Sequence, residues 1–82
     1  MKEKRINYQT PIGNVFELKY MMGKYALLLN NELFSGKLIL EYDNGNFHSS
    51  GIIKNGFKHK EWITCYENGE VQIKELFTAN LH

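Results

Sequence analysis

Apolar and polar residues alternate with a period of two along most of this chain. Phe16, Leu18 and Tyr20 alternate with Val15, Glu17 and Lys19, and Leu38, Leu40 and Tyr42 with Lys37, Ile39 and Glu41. Trp62, Thr64 and Tyr66 alternate with Glu61, Ile63 and Cys65, while Val71, Ile73 and Phe77 keep one parity that Glu75 breaks. This is the pattern of a strand with one buried face. Leu27, Leu28 and Leu29 do not recur a helical turn later, because Asn30-Asn31 interrupts them. The chain reads as strands.

Turn residues separate these runs. Pro11-Ile12-Gly13-Asn14, Met22-Gly23-Lys24 and Asn30-Asn31 punctuate the first half, and Asn44-Gly45, Asn55-Gly56 and Asn68-Gly69 the second. Asn-Gly favours a type I′ hairpin, since both central residues need positive φ, which Asn tolerates and Gly adopts freely. As two-residue loops, the outer pairs predict Asp43 opposite Asn46, Tyr42 opposite Phe47 and His48 opposite Glu41. The same register predicts Tyr66 opposite Val71 and Thr64 opposite Ile73. Aromatic and β-branched pairs of this kind each contribute a few tenths to about 1 kcal/mol over alanine. On this reading the largest rings share one face.

Two of the turns are copies. Tyr42-Asp43-Asn44-Gly45 returns 24 residues later as Tyr66-Glu67-Asn68-Gly69, with Leu38 matching Trp62, Ile39 matching Ile63 and Phe47 matching Val71. A period in this range marks one supersecondary unit used more than once. Gly36-Lys37-Leu38, the Tyr42 turn, Gly51-Ile52-Ile53-Lys54-Asn55-Gly56, Lys60-Glu61-Trp62 and the Tyr66 turn together resemble the bacterial variant of the MORN repeat. That variant pairs a Gly-x-Trp opening with a Tyr-x-x-Gly hairpin and a Lys-Asn-Gly turn. The resemblance runs from Leu33 to about Asn80. It departs from the family at Leu38, where Trp is favoured, and at Lys60, where Gly is favoured. It implies a twisted single-layer sheet used as a protein-binding surface, in proteins often labelled antitoxin components.

The 82 residues fit one domain, small enough to bury only about 60 % of its unfolded surface. Residues 33–80 carry the repeat-like hairpins, and residues 1–10 are either a frayed arm or an added edge strand. Net charge is +1, yet Lys54, Lys58, His59 and Lys60 gather between the two copies. The single cysteine, Cys65, forms no internal disulfide, and no run reaches the roughly 20 apolar residues of a membrane span. A cytoplasmic location is expected.

Chemistry is sparse. Cys65 and His59 lie in no catalytic signature, and free cysteines mostly behave as small hydrophobes. His48, His59, His82 and Cys65 are donor types for a metal, but none forms a close pair such as Cys-x-x-Cys. No pair of carboxylates sits in a recognisable cleft, and no glycine run leads into a helix that would hold phosphate. Neither catalysis nor a cofactor is expected.

The fold expected is an all-β antiparallel meander of six to seven short strands with MORN-like hairpin repeats. The function expected is a non-enzymatic inhibitor or antitoxin-type protein that binds and blocks a bacterial enzyme, a nucleic-acid-processing one being the candidate that the basic segment Lys54–Lys60 would meet. Tyr42, Trp62 and Tyr66 would anchor the partner, and Lys54, Lys58, His59 and Lys60 would steer it. The alternatives are a sheet that binds nucleic acid through the same basic and aromatic residues, or a structural homodimer.

Overall fold

A computed structural model describes residues 2–77; residues 78–80 of the repeat-like region and His82 lie outside the described part. It is all-β, with eight strands in two sheets. The strands are β1 (Glu3–Asn7), β2 (Glu17–Met21), β3 (Lys24–Leu29), β4 (Glu32–Leu33), β5 (Gly36–Glu41), β6 (Phe47–Lys54), β7 (Phe57–Cys65) and β8 (Val71–Phe77). One 3-10 turn, Ile12–Asn14, joins β1 to β2.

The larger sheet has the order β1-β5-β6-β7-β8, and the smaller one β2-β3-β4. This corrects the expected meander in strand number, sheet number and direction. β1 pairs with β5 in parallel, Ile6 opposite Leu40, so residues 3–7 form an edge strand rather than a frayed arm. A parallel pair cannot be closed by a hairpin and needs a crossover, which here is the whole smaller sheet.

The change of sheet happens at Phe34. Its N–H donates to the Leu27 carbonyl at 2.9 Å, and its carbonyl accepts from the Gly56 N–H at 2.8 Å. The Gly56 carbonyl in turn accepts from the Leu27 N–H at 3.0 Å. The β6–β7 turn is thereby stitched to the edge of the smaller sheet. Gly56 has φ +89°, and a Cβ there would lie 2.8 Å from the Cβ of Ala26. Only glycine fits this junction.

The copied turns fold identically, but not as type I′ loops. Gly45 and Gly69 donate to the Tyr42 and Tyr66 carbonyls, both at 2.9 Å. Tyr42 and Tyr66 donate to the carbonyls of Asn46 and Glu70, both at 2.8 Å. Positive φ falls on Gly45 and Gly69 alone, so these are three-residue loops ending in a left-handed glycine. Type I′ geometry occurs instead at Met22-Gly23, Asn30-Asn31 and Asn55-Gly56, where both residues have positive φ.

The longer loop shifts the pairing at the tips. Phe47 faces Glu41 and Val71 faces Cys65, which corrects the expected Tyr42–Phe47, His48–Glu41 and Tyr66–Val71 pairs. A bulge at His48 in one copy and Gln72 in the other restores the expected register, and Thr64 does face Ile73. The tips also bond to one another. Tyr42 Oη donates to the Cys65 carbonyl at 2.8 Å, and Asn46 Nδ2 donates to the Glu67 carbonyl at 2.9 Å.

The core lies between the sheets, built on Phe16, Phe34, Leu38, Ile53 and Trp62. Trp62 covers Gly51 on the neighbouring strand, where an added Cβ would run into its ring. The rings do not all share this side. The bulge turns Phe47 to the outer face, where the Arg5 guanidinium sits 5.8 Å from its centroid.

Candidate functional site

The seven residues expected at a partner surface divide between the two ends of the larger sheet. Tyr42 and Tyr66 belong to the hairpin tips, whereas Lys54 and Lys58 flank the Asn55-Gly56 turn at the opposite end of β6 and β7. Trp62 is only 5 % exposed and belongs to the core. Tyr42 is half-buried, with its ring 4.9 Å from Tyr8 and 5.2 Å from His48. Burial, followed by the charge of Glu67, pushes the Tyr42 phenol above its ordinary pKa. Tyr66 is exposed.

Lys58 and Trp62 do meet. The Lys58 ammonium sits 4.7 Å from the Trp62 ring centroid and 5.2 Å from that of Phe77. His59 points the other way along β7, opposite Ile52, and its buried Nδ1 finds no partner among the described residues. Lys60 is exposed at a bulge in β7 and carries φ +62°.

Where the two sheets diverge they leave a cleft of about 540 Å³. Its floor is Leu38, Leu40, Ile53 and Trp62 from the larger sheet; Ile12 and Leu27 come from the crossover. Lys24, Lys58 and Glu75 supply its charge, and Tyr25, His48, Ser49 and Thr64 its other polar side chains. The Ser49 side chain is buried and lies 3.2 Å from His48 Nδ1. An apolar basin with a few polar groups is the usual form of a small-ligand site. Sequence reasoning missed Ile12, Lys24 and Leu27, because their segment shares no pattern with the repeat and only the crossover brings it here.

The second exposed feature is β8. It is the last strand of the larger sheet, so among the described residues one side of its backbone has no neighbouring strand. Val71 and Ile73 are about half exposed, and Leu76 is 76 % exposed. Alternation puts Ile73 on the core side and Leu76 on the outer side, so apolar groups flank this edge on both faces.

Cys65 is buried. Among the described residues, no three of His, Cys, Asp and Glu converge as metal ligands, and His82 lies outside them. No protein-family model matches the chain, nor does any curated protein or solved structure.

Proposed function

We propose that this protein is a non-enzymatic binding module, an inhibitor or antitoxin-type protein that occupies a bacterial enzyme in the cytoplasm and blocks it. The observation that carries the reading is the outer edge of β8, which has no neighbouring strand among the described residues and is flanked by Val71, Ile73 and Leu76. An open edge with apolar groups on both sides pairs readily with a strand of another chain, the backbone giving affinity and side-chain pockets giving specificity. Lys58 and Lys60 lie on β7, the strand next to this edge, and Lys60 is opposite Phe77. They would steer an acidic partner surface toward it. The shared hydrogen-bond pattern of the two tips supports treating Leu33 to Asn80 as MORN-like copies.

The test is affinity capture with quantitative mass spectrometry on wild type, Lys58→Glu/Lys60→Glu and Ile73→Lys. A stoichiometric protein partner should appear with wild type and be lost with Ile73→Lys, and adding the protein should inhibit that partner's activity. Equal recovery by all three forms, or no partner at all, refutes the proposal.

Nucleic-acid binding is the weaker reading, because Trp62 and Tyr42 are engaged in packing and hydrogen bonding instead of being free to stack on bases. It demands affinity for single strands that falls steeply with salt through counterion release. A homodimer paired through β8 would appear as a concentration-dependent doubling of mass that Ile73→Lys abolishes.

A further inference from the structure

We infer that the cleft between the two sheets binds a small amphipathic monocarboxylate: an apolar body seated on Trp62 and Leu40, with its carboxylate at Lys58 and Lys24. This is a second site, which shares Lys58 with the proposed β8 surface but leaves the outward backbone groups of β8 untouched, since its ligand lies on the core face. Size is the first argument. A volume of about 540 Å³ lies in the range of small-molecule sites and leaves room for a chain or ring of modest size.

Charge is the second argument, and it selects the ligand. Lys24 and Lys58 both line the cleft, and both ammonium groups rest on aromatic rings. Lys24 Nζ is 5.6 Å from the Phe57 centroid, and Lys58 Nζ lies over Trp62 and Phe77. Among the described residues, the only ion pairs are those of Arg5 with Glu3 and Glu41, so neither lysine is held by a carboxylate. An exposed cation–π contact is weak, so an incoming carboxylate can take the ammonium while the lysine stem remains over the ring. Glu75 also lines the cleft. Two cations against one anion leave one positive charge, which matches a monoanion and disfavours a cation.

Selectivity between head groups is the third element. Ser49 and Thr64 provide hydroxyls beside the apolar floor, but no carboxylate other than Glu75 lines the cleft to receive an amine. The body of the ligand would displace water from the partly exposed Ile12, Leu27, Leu40 and Phe77, which supplies affinity without regard to head group. The lysines then discriminate among amphiphiles of equal length.

Trp62, the sole tryptophan, forms part of the floor and reports binding directly. Its fluorescence is titrated with octanoate, 1-octanol and octylammonium at equal ionic strength, and amide shifts are mapped by NMR. Octanoate should give a saturable change, bind at least about fivefold more tightly than octylammonium, and shift the Leu40 and Thr64 amides. Lys58→Gln and Lys24→Gln, both at exposed positions, should each weaken octanoate about threefold or more, as expected of partly exposed ion pairs, and leave octanol unchanged. Equal affinity for the three amphiphiles, shifts confined to β8, an absence of saturation, or indifference to both substitutions would overturn the assignment. Loss of octanoate binding with β8 partner capture intact would fault this site alone.

Discussion

Lys60 holds a backbone conformation that side chains with a Cβ adopt only under constraint, since φ +62° is left-handed. The matching position in the first copy is Gly36. Lys60→Gly should therefore stabilise the fold by about 0.5–1 kcal/mol, read as a higher denaturation midpoint with an unchanged slope. Gly51 presents the opposite case. Gly51→Ala drives a methyl into the Trp62 ring and should destabilise by about 1–3 kcal/mol, with Trp62 emission moving to longer wavelength. Tyr42 adds a pH dependence. Its phenol titrates above the ordinary value of 10.0, mainly through burial, so folding favours the neutral form. That contribution is complete below pH 10 and is lost as pH rises through the raised value. Wild type should lose stability along this alkaline limb, and Tyr42→Phe should flatten it in urea titrations at stepped pH.

At the scale of elements, the two hairpins show how much a turn motif specifies. Asn44-Gly45, Asn55-Gly56 and Asn68-Gly69 are the same dipeptide, yet only Asn55 has positive φ. The bonding of the Asn side chain differs, Asn55 Oδ1 accepting from Ser35 Oγ instead of a local N–H. In Tyr-Asp-Asn-Gly and Tyr-Glu-Asn-Gly, the Asn44 and Asn68 side chains accept from the N–H two residues on, both at 2.9 Å, which holds the three-residue loop. The alternation of apolar residues was legible and correct through Leu38, Leu40, Trp62 and Thr64. The tips were not, because the bulges at His48 and Gln72 add a residue that parity alone does not reveal. Among the described residues, β6 and β7 have a neighbour on each side, whereas β8 has one. Amide exchange should accordingly be slower in β6 and β7 than in β8, and faster exchange in β6 than in β8 would contradict this topology.

At the scale of the molecule, β1 decides whether the repeat sheet ends safely. It covers the edge of β5, whose Leu38 and Ile39 are both buried, and Arg5 pairs with Glu3 and Glu41 on the outer face. Those hydrogen bonds hold the Arg5 guanidinium even above its usual high pKa, the bond to Glu3 first. Deleting residues 1–7 would expose an apolar edge of sequence Gly-Lys-Leu-Ile-Leu-Glu. The truncated chain should self-associate, with light scattering rising with concentration where the full chain stays unchanged. The cleft belongs to this scale too. Lys24 and Lys58 come from different sheets, and the stitch at Gly56 keeps those sheets in register.

The sequence by itself determined the all-β class, the places of the duplicated turns and the parity that places Leu38 and Trp62 inward. These follow from local rules: a two-residue period, glycine's access to positive φ, and a repeat that reuses both. Tertiary structure alone decided that β1 would run parallel to β5, that the first half would form a separate sheet, and that the two would enclose a cleft. The reason is that backbone groups at a strand edge and apolar faces must find partners, and the nearest ones here are distant in sequence. Phe34, Gly56 and Leu27 satisfy one another across that distance, and no local pattern announces it.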